Sequence, residues 1–238
     1  MNRHAADART IRALDRALSQ EILDAAYRIA QLDVPDDDRS ARLTIALREH
    51  TTEADASNKM KKTVTRVWTN PPEPARTFIR WALDHPEEFP DRRLMHLGAL
   101  LATVPFVGTV MSTLGRTFAL GELITVPDLR RKLTQRWGQS STVQEAAGKT
   151  VTTLRRLGAV TGGGRQAVGI AEALPTTPTT AGWLVHATIL NRSVDALEER
   201  EVAFAPELFW ASPLAPDQSY PHLTNHNEGI NRRVWVVR

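Results

Sequence analysis

Few residues in this 238-residue chain are spaced as chemistry usually requires. Ala147-Gly148-Lys149-Thr150 ends like a phosphate-cradling loop, but position 143, where that loop needs its first glycine, is Val143. The tetrapeptide also falls inside a predicted helix, so nucleotide hydrolysis is not expected. Gly162-Gly163-Gly164 lacks the spacing of a dinucleotide loop and reads as a hairpin turn. His222 and His226 stand in a stretch rich in Pro and Asn with no third ligand, so no metal is assigned. Asp36-Asp37-Asp38 and Glu198-Glu199 read as solvated runs or caps rather than acid–base pairs. The absence of cysteine excludes disulfides, thiolate zinc sites and cysteine nucleophiles. No GxSxG elbow is present. The tryptophans read as core fillers. The expectation is a protein that is not an enzyme and takes no cofactor.

What remains is positive charge. The formal net charge is only +3, but it is unevenly spread. Residues 59–80 hold Lys59, Lys61, Lys62, Arg66, Arg76 and Arg80 against Glu73 alone. Residues 128–166 hold Arg130, Arg131, Lys132, Arg136, Lys149, Arg155, Arg156 and Arg165 against Asp128 and Glu145. Two basic blocks on an otherwise acidic chain point to a polyanion, nucleic acid above all.

The elements that carry these charges follow from periodicity. In 57–68, with Ser57 as N-cap, Met60, Val64, Val67 and Trp68 share one face, and Lys59, Lys62 and Arg66 the opposite one. Asn70-Pro71-Pro72-Glu73 reads as the capped start of the next helix, which ends near His85-Pro86. Helices at 91–103 and 105–120 lead into a short strand at Leu123-Ile124. Thr125-Val126-Pro127-Asp128 then caps a helix over 126–137, with Leu129 and Leu133 inward and Arg130, Arg131 and Lys132 outward. Gly138 ends it. Ser141-Thr142-Val143-Gln144 opens a helix to Leu157 whose outer face is Glu145, Lys149, Thr152 and Arg156. Two short strands, 159–161 and 166–168, flank the glycine run, with Arg165 at the tip.

That order is the order of a winged helix, whose last helix enters the major groove. The fold class expected is mainly α, with two helix-turn-helix-like units. The second is a winged helix with a short β-hairpin, and a small C-terminal extension follows. The expected division is 1–90, 91–175 and 176–238. The N-terminal part opens on a helix over 9–32, with Ile11, Leu14, Leu18, Ile22, Ala26 and Ile29 on one stripe, and a second helix over 39–49. Residues 94–115 carry no Asp, Glu, Lys or Arg, but Pro105 splits them, so two core helices are preferred to a membrane span. In the tail, Thr176–Thr180 reads as a linker and 183–201 as a helix with Leu190, Val194 and Leu197 inward. The ending RRVWVVR reads as a strand able to complete a small sheet with a hairpin. No signal peptide is recognised, and a cytoplasmic location is expected.

The block from Phe106 to Val160, with its LGR turn, the WG before the polar capped helix and the TLRRLG ending, resembles the BrxA-like proteins of BREX bacteriophage-defence systems. The likeness covers residues 55–160. It implies a non-catalytic accessory protein that binds double-stranded DNA, with other defence-system proteins as further partners and no membrane. By position it assigns Lys149, Thr152 and Arg156 to the recognition helix, Arg165 to the wing, and Lys59, Lys62 and Arg66 to the first basic helix. On chemical grounds Ser141 and Thr142 lie where a helix N-terminus can meet a phosphate. A protein–protein scaffold and a transcriptional repressor are the alternatives.

Overall fold

A computed structural model describes residues 13–51, 53–228 and 232–238. The fold is mainly helical: α1 (Gln20–Ala30), α2 (Asp36–Arg48), α3 (Ala54–Val64), α4 (Arg76–Asp84), α5 (Arg92–Thr103), α6 (Pro105–Ala119), α7 (Val126–Trp137) and α8 (Ser141–Arg156) precede a hairpin of β1 (Val160–Thr161) and β2 (Gly169–Ile170). There follow α9 (Pro178–Arg192), β3 (Ala196–Glu198), α10 (Glu199–Ala203), β4 (Leu223–Asn227) and β5 (Arg233–Val237).

The centre is α9. Its residues from Thr180 to Ile189 are all buried. A helix covered on every side belongs in the middle of a fold. Trp183 of α9 stacks on Phe78 of α4 at 4.3 Å and donates its indole N–H to the Phe78 carbonyl at 3.3 Å. Thr176–Thr180 is therefore no linker. Thr177 caps α9: its hydroxyl accepts from Thr180 N at 3.2 Å, while the Thr180 hydroxyl accepts from Thr177 N at 2.8 Å. Pro178 sits in the first turn, where its missing N–H costs nothing. The helix expected over 183–201 stops at Ser193, which adopts φ 53°. Val194 is then exposed, and Leu197 is buried from a strand.

At the N-terminal end the helix begins only at Gln20. Leu14 and Leu18 are buried as their spacing suggested, but from irregular chain. A tertiary contact competes with the helix there, since Leu18 N donates to the Thr153 hydroxyl of α8 at 2.9 Å. Ile11 lies outside the described residues. The acidic run Asp36–Asp38 forms the first turn of α2, where the helix dipole favours negative charge. Helix α3 starts at Ala54, so Ser57 is buried inside it rather than capping it. It widens into a π-helical turn at Thr65–Thr69, which buries Val67 and Trp68. Asn70 does not cap α4, because a 3-10 turn at Glu73–Ala75 intervenes.

Helices α5 and α6 meet at a bend of 112°, with Pro105 opening α6. Among the described residues no single helix is long and apolar enough to cross a membrane. Most of the pair is buried inside the fold.

The strands form two small antiparallel sheets. In the hairpin Val160 pairs with Ile170 and Thr161 with Gly169, so the second strand lies just beyond the 166–168 expected for it. Val168 bridges Ile124 instead. The other sheet has the order β3-β5-β4, with Trp235 facing Leu197 on one side and Asn225 on the other. The C-terminal strand thus completes a small sheet, pairing antiparallel with β4 and with β3.

Candidate nucleic-acid interface

The frame of the site is α7 and α8. The Thr125 hydroxyl caps α7 by accepting from Asp128 N at 3.2 Å and donates to the Asp128 carboxylate at 2.6 Å. Gly138 ends α7 at φ 83°. The cap of α8 is Ser140, one residue earlier than expected, its hydroxyl accepting from Val143 N at 3.4 Å. Ser141 and Thr142 are consequently exposed residues of the first turn. Leu129 and Leu133 of α7 and Val143, Ala147, Val151 and Leu154 of α8 are buried, which turns the polar faces outward.

Two glycines shape what lies outside. A Cβ on Gly148 would stand 3.0 Å from an Arg130 terminal nitrogen, so the guanidinium of α7 lies directly over α8 there. The Arg130 Nε is buried with no acceptor. Gly162 adopts φ 69°, and a Cβ there would meet the Ala167 carbonyl oxygen at 2.0 Å. Only glycine allows the neck of the hairpin loop to close so tightly. Arg165 is exposed in that loop.

Between the N-terminus of α7, the outer face of α8 and the glycine loop lies a cleft of about 500 Å³. Arg130, Lys149, Thr152 and Arg155 line it. The Thr152 hydroxyl donates to the Gly148 carbonyl at 2.9 Å, and Arg155 reaches the Gly162 carbonyl at 3.5 Å. At the rim, Glu145 pairs with Lys149 at 2.8 Å. The Lys149 hydrogen bond and charge hold the Glu145 carboxyl below the usual carboxylate range, and the charges of Lys59 and Arg130 add to this. Lys59 belongs to α3, so the charge of the first basic block is felt at Glu145.

The remaining cations fall as follows. Lys59 also pairs with Asp55 at 2.7 Å, and Arg131 with Asp128 at 2.9 Å. Lys62 is exposed on α3. Arg66 is half-buried in the π-helical turn, where a 100° step per residue no longer places side chains. Arg156 is exposed but turns to a separate polar hollow with Ser19, Glu21 and His50, its guanidinium 3.4 Å from the Ala17 carbonyl. On α8, Arg155 and not Arg156 lines the cleft. The sequence signal for it was the Arg155-Arg156 pair itself, since a one-residue step on a helix wheel separates their directions by 100°.

Among the described residues no three His, Asp, Glu or Cys side chains gather as a metal site, His222 and His226 included. No family model, curated protein or solved structure matches this chain.

Proposed function

We propose that the chain is a non-catalytic binder of double-stranded DNA. One observation carries this reading: Arg130 of α7 and Lys149 and Arg155 of α8 line one cleft beside a glycine-rich hairpin, with the charge of Lys59 from α3 reaching Glu145 there. In this reading α6, the Ile124–Val168 bridge, α7, α8 and the β1–β2 hairpin are a winged helix, with α8 as the recognition helix and Arg165 at the wing tip. Helix α3 is the cationic flank supplied by a first helix-turn-helix-like unit. Phosphates take most of the contacts, through Arg130, Arg131, Lys149, Lys59, Lys62 and Arg165, and through the first-turn residues Ser141 and Thr142. Service beside other defence-system proteins in the cytoplasm rests on the BREX resemblance alone.

The test is a gel shift at low salt with duplex DNA, single-stranded DNA and RNA. The reading expects duplex to be retarded at the lowest protein concentration. Absence of any duplex shift at 50 mM salt, an ionic strength at which phosphate contacts are strong, overturns it.

A second reading, a scaffold that holds a protein partner, is favoured by one observation. Phe204 is 83% exposed and Leu120 74% exposed, beside a groove of about 830 Å³ that Phe118, Phe209 and Leu214 also line. Exposed apolar patches of this kind mark protein contacts. In that case Phe204→Ser abolishes partner capture and leaves duplex binding intact.

A further inference from the structure

A cavity of about 680 Å³ runs along α4 and shares no lining residue with the basic cleft. Its size is that of a small-molecule site. The walls are apolar and aromatic: Trp68 from the π-helical turn, Ile79, Trp81 and Leu83 from α4, and Ala30 from the end of α1. Single π-helical turns are frequent at functional sites. This one brings Trp68 to the cavity wall.

Trp68 is 1% exposed, and among the described residues its indole N–H meets no acceptor. The Nε of Arg39, which also lines the cavity, is likewise buried without one. Both unmet groups are donors. Buried donors without an acceptor are costly, and these two stand behind the cavity wall, where they add to its positive character.

The charge around the cavity points the same way. Arg39, Arg76 and Arg80 line it. Arg76 pairs with Glu73 at 2.5 Å and Arg80 with Asp84 at 2.9 Å, carboxylates three and four residues away, whereas Arg39 is held by Asp36 at 2.5 Å and also by the Leu32 and Val34 carbonyls at 3.1 and 3.0 Å. The Asp36 and Glu73 side chains are 94% and 77% exposed. Such pairs hold weakly and exchange readily for a better oxyanion. Arg76 and Arg80 belong to the first basic block by sequence, but they sit on α4 at this cavity rather than with Lys59.

We propose that the cavity binds a small amphipathic anion, a flat aromatic body carrying one carboxylate or phosphate. The ring lies among Trp68, Ile79 and Leu83. The oxyanion is taken by Arg76 and Arg80, with the positive charge of Arg39 behind them. The proposal does not depend on DNA binding.

Isothermal titration of the full chain tests it with indole-3-acetate and adenosine monophosphate. Tryptamine serves as the cationic control and inorganic phosphate as the control without a ring. At least one of the two anions is expected to bind with submillimolar Kd, and both controls at least tenfold more weakly. Whichever anion binds more tightly tells carboxylate from phosphate. The variant Arg76→Gln/Arg80→Gln changes exposed side chains and is expected to keep its circular dichroism and melting profile while losing at least tenfold in affinity. The proposal is overturned if neither anion binds below 5 mM, if tryptamine or phosphate matches the better anion, or if the double variant binds as wild type does.

Discussion

Replacing Glu145 with glutamine takes a negative charge out of the middle of the basic face and leaves the side chain's shape almost unchanged. Glu145 is exposed and bonds Lys149 at 2.8 Å, with Lys59 and Arg130 acting on the same carboxylate. In the proposed reading, the carboxylate competes with a DNA phosphate for Lys149. Its loss frees Lys149 for one added phosphate contact, which steepens the slope of log K against log[salt] by about 0.9. If that contribution vanishes near 1 M salt, one contact strengthens duplex binding by about 15-fold at 50 mM and about 5-fold at 150 mM. Fluorescence anisotropy with a labelled 20-base-pair duplex, titrated at several salt concentrations, reads both quantities. Circular dichroism is expected to stay unchanged, because exposed i,i+4 pairs contribute little to folding. An unchanged slope with unchanged or weaker affinity refutes the reasoning, since Glu145 would then lie away from the DNA.

Gly148→Ala separates stability from binding. The helix gains up to about 1 kcal/mol in propensity, whereas the new methyl displaces the Arg130 guanidinium that lies 3.0 Å away. The melting temperature is expected to hold or rise while duplex affinity falls; unchanged affinity would remove Arg130 from the interface. Gly162→Ala combines a left-handed φ of 69° with a contact of 2.0 Å to the Ala167 carbonyl, and costs more than the roughly 1–2 kcal/mol of the backbone term alone. Thermal denaturation measures it, and a loss below that figure would show that the loop relaxes freely. Burial lowers the His186 pKa from 6.5 to about 4, with the His222 charge adding to this, while Tyr220 Oη lies 2.8 Å from its Nδ1. The unfolded imidazole binds its proton at higher pH than the folded one, so stability falls as pH drops from 6.5 toward 4, by about 3 kcal/mol from this group. Urea titrations across that window are expected to show the loss, and His186→Gln to flatten it; an equal pH slope in the variant assigns the effect to another group.

Much of the fold was legible because its signals are local. Thr125 and Pro127 lie within one turn of each other and specify the start of α7 whatever surrounds them. The burial of Met60, Val64, Val67 and Trp68 followed from spacing alone. Errors arose where one local pattern fits two structures. Thr177-Pro178 has the composition of a linker and equally that of an N-cap followed by a first-turn proline. Ser140 and Ser141 are chemically equal candidates for one cap, and tertiary placement chose the first. Val168 has the look of a hairpin residue but pairs with Ile124, which moves the second strand to Gly169–Ile170. Leu14 and Leu18 satisfy a helical stripe, yet the chain around them bonds to Thr153 instead. The site itself was half legible. Charge blocks and the outer face of α8 were visible, but the approach of Lys59 to Glu145 joins residues far apart in the chain. The exchange of Arg156 for Arg155 in the cleft likewise depends on where residues 17–21 cross α8.

The central claim is that cations from two sequence-remote helices act on one DNA molecule. Its most direct test is the salt dependence of duplex affinity for the wild type beside Lys59→Ala/Arg130→Ala/Lys149→Ala, whose charges act on Glu145. The account predicts that the triple variant folds normally and that its log K against log[salt] slope is shallower by about 2, at about 0.9 for each of the Lys59 and Arg130 contacts, Lys149 being held by Glu145 in the wild type. A folded triple variant that retains the wild-type slope would contradict it.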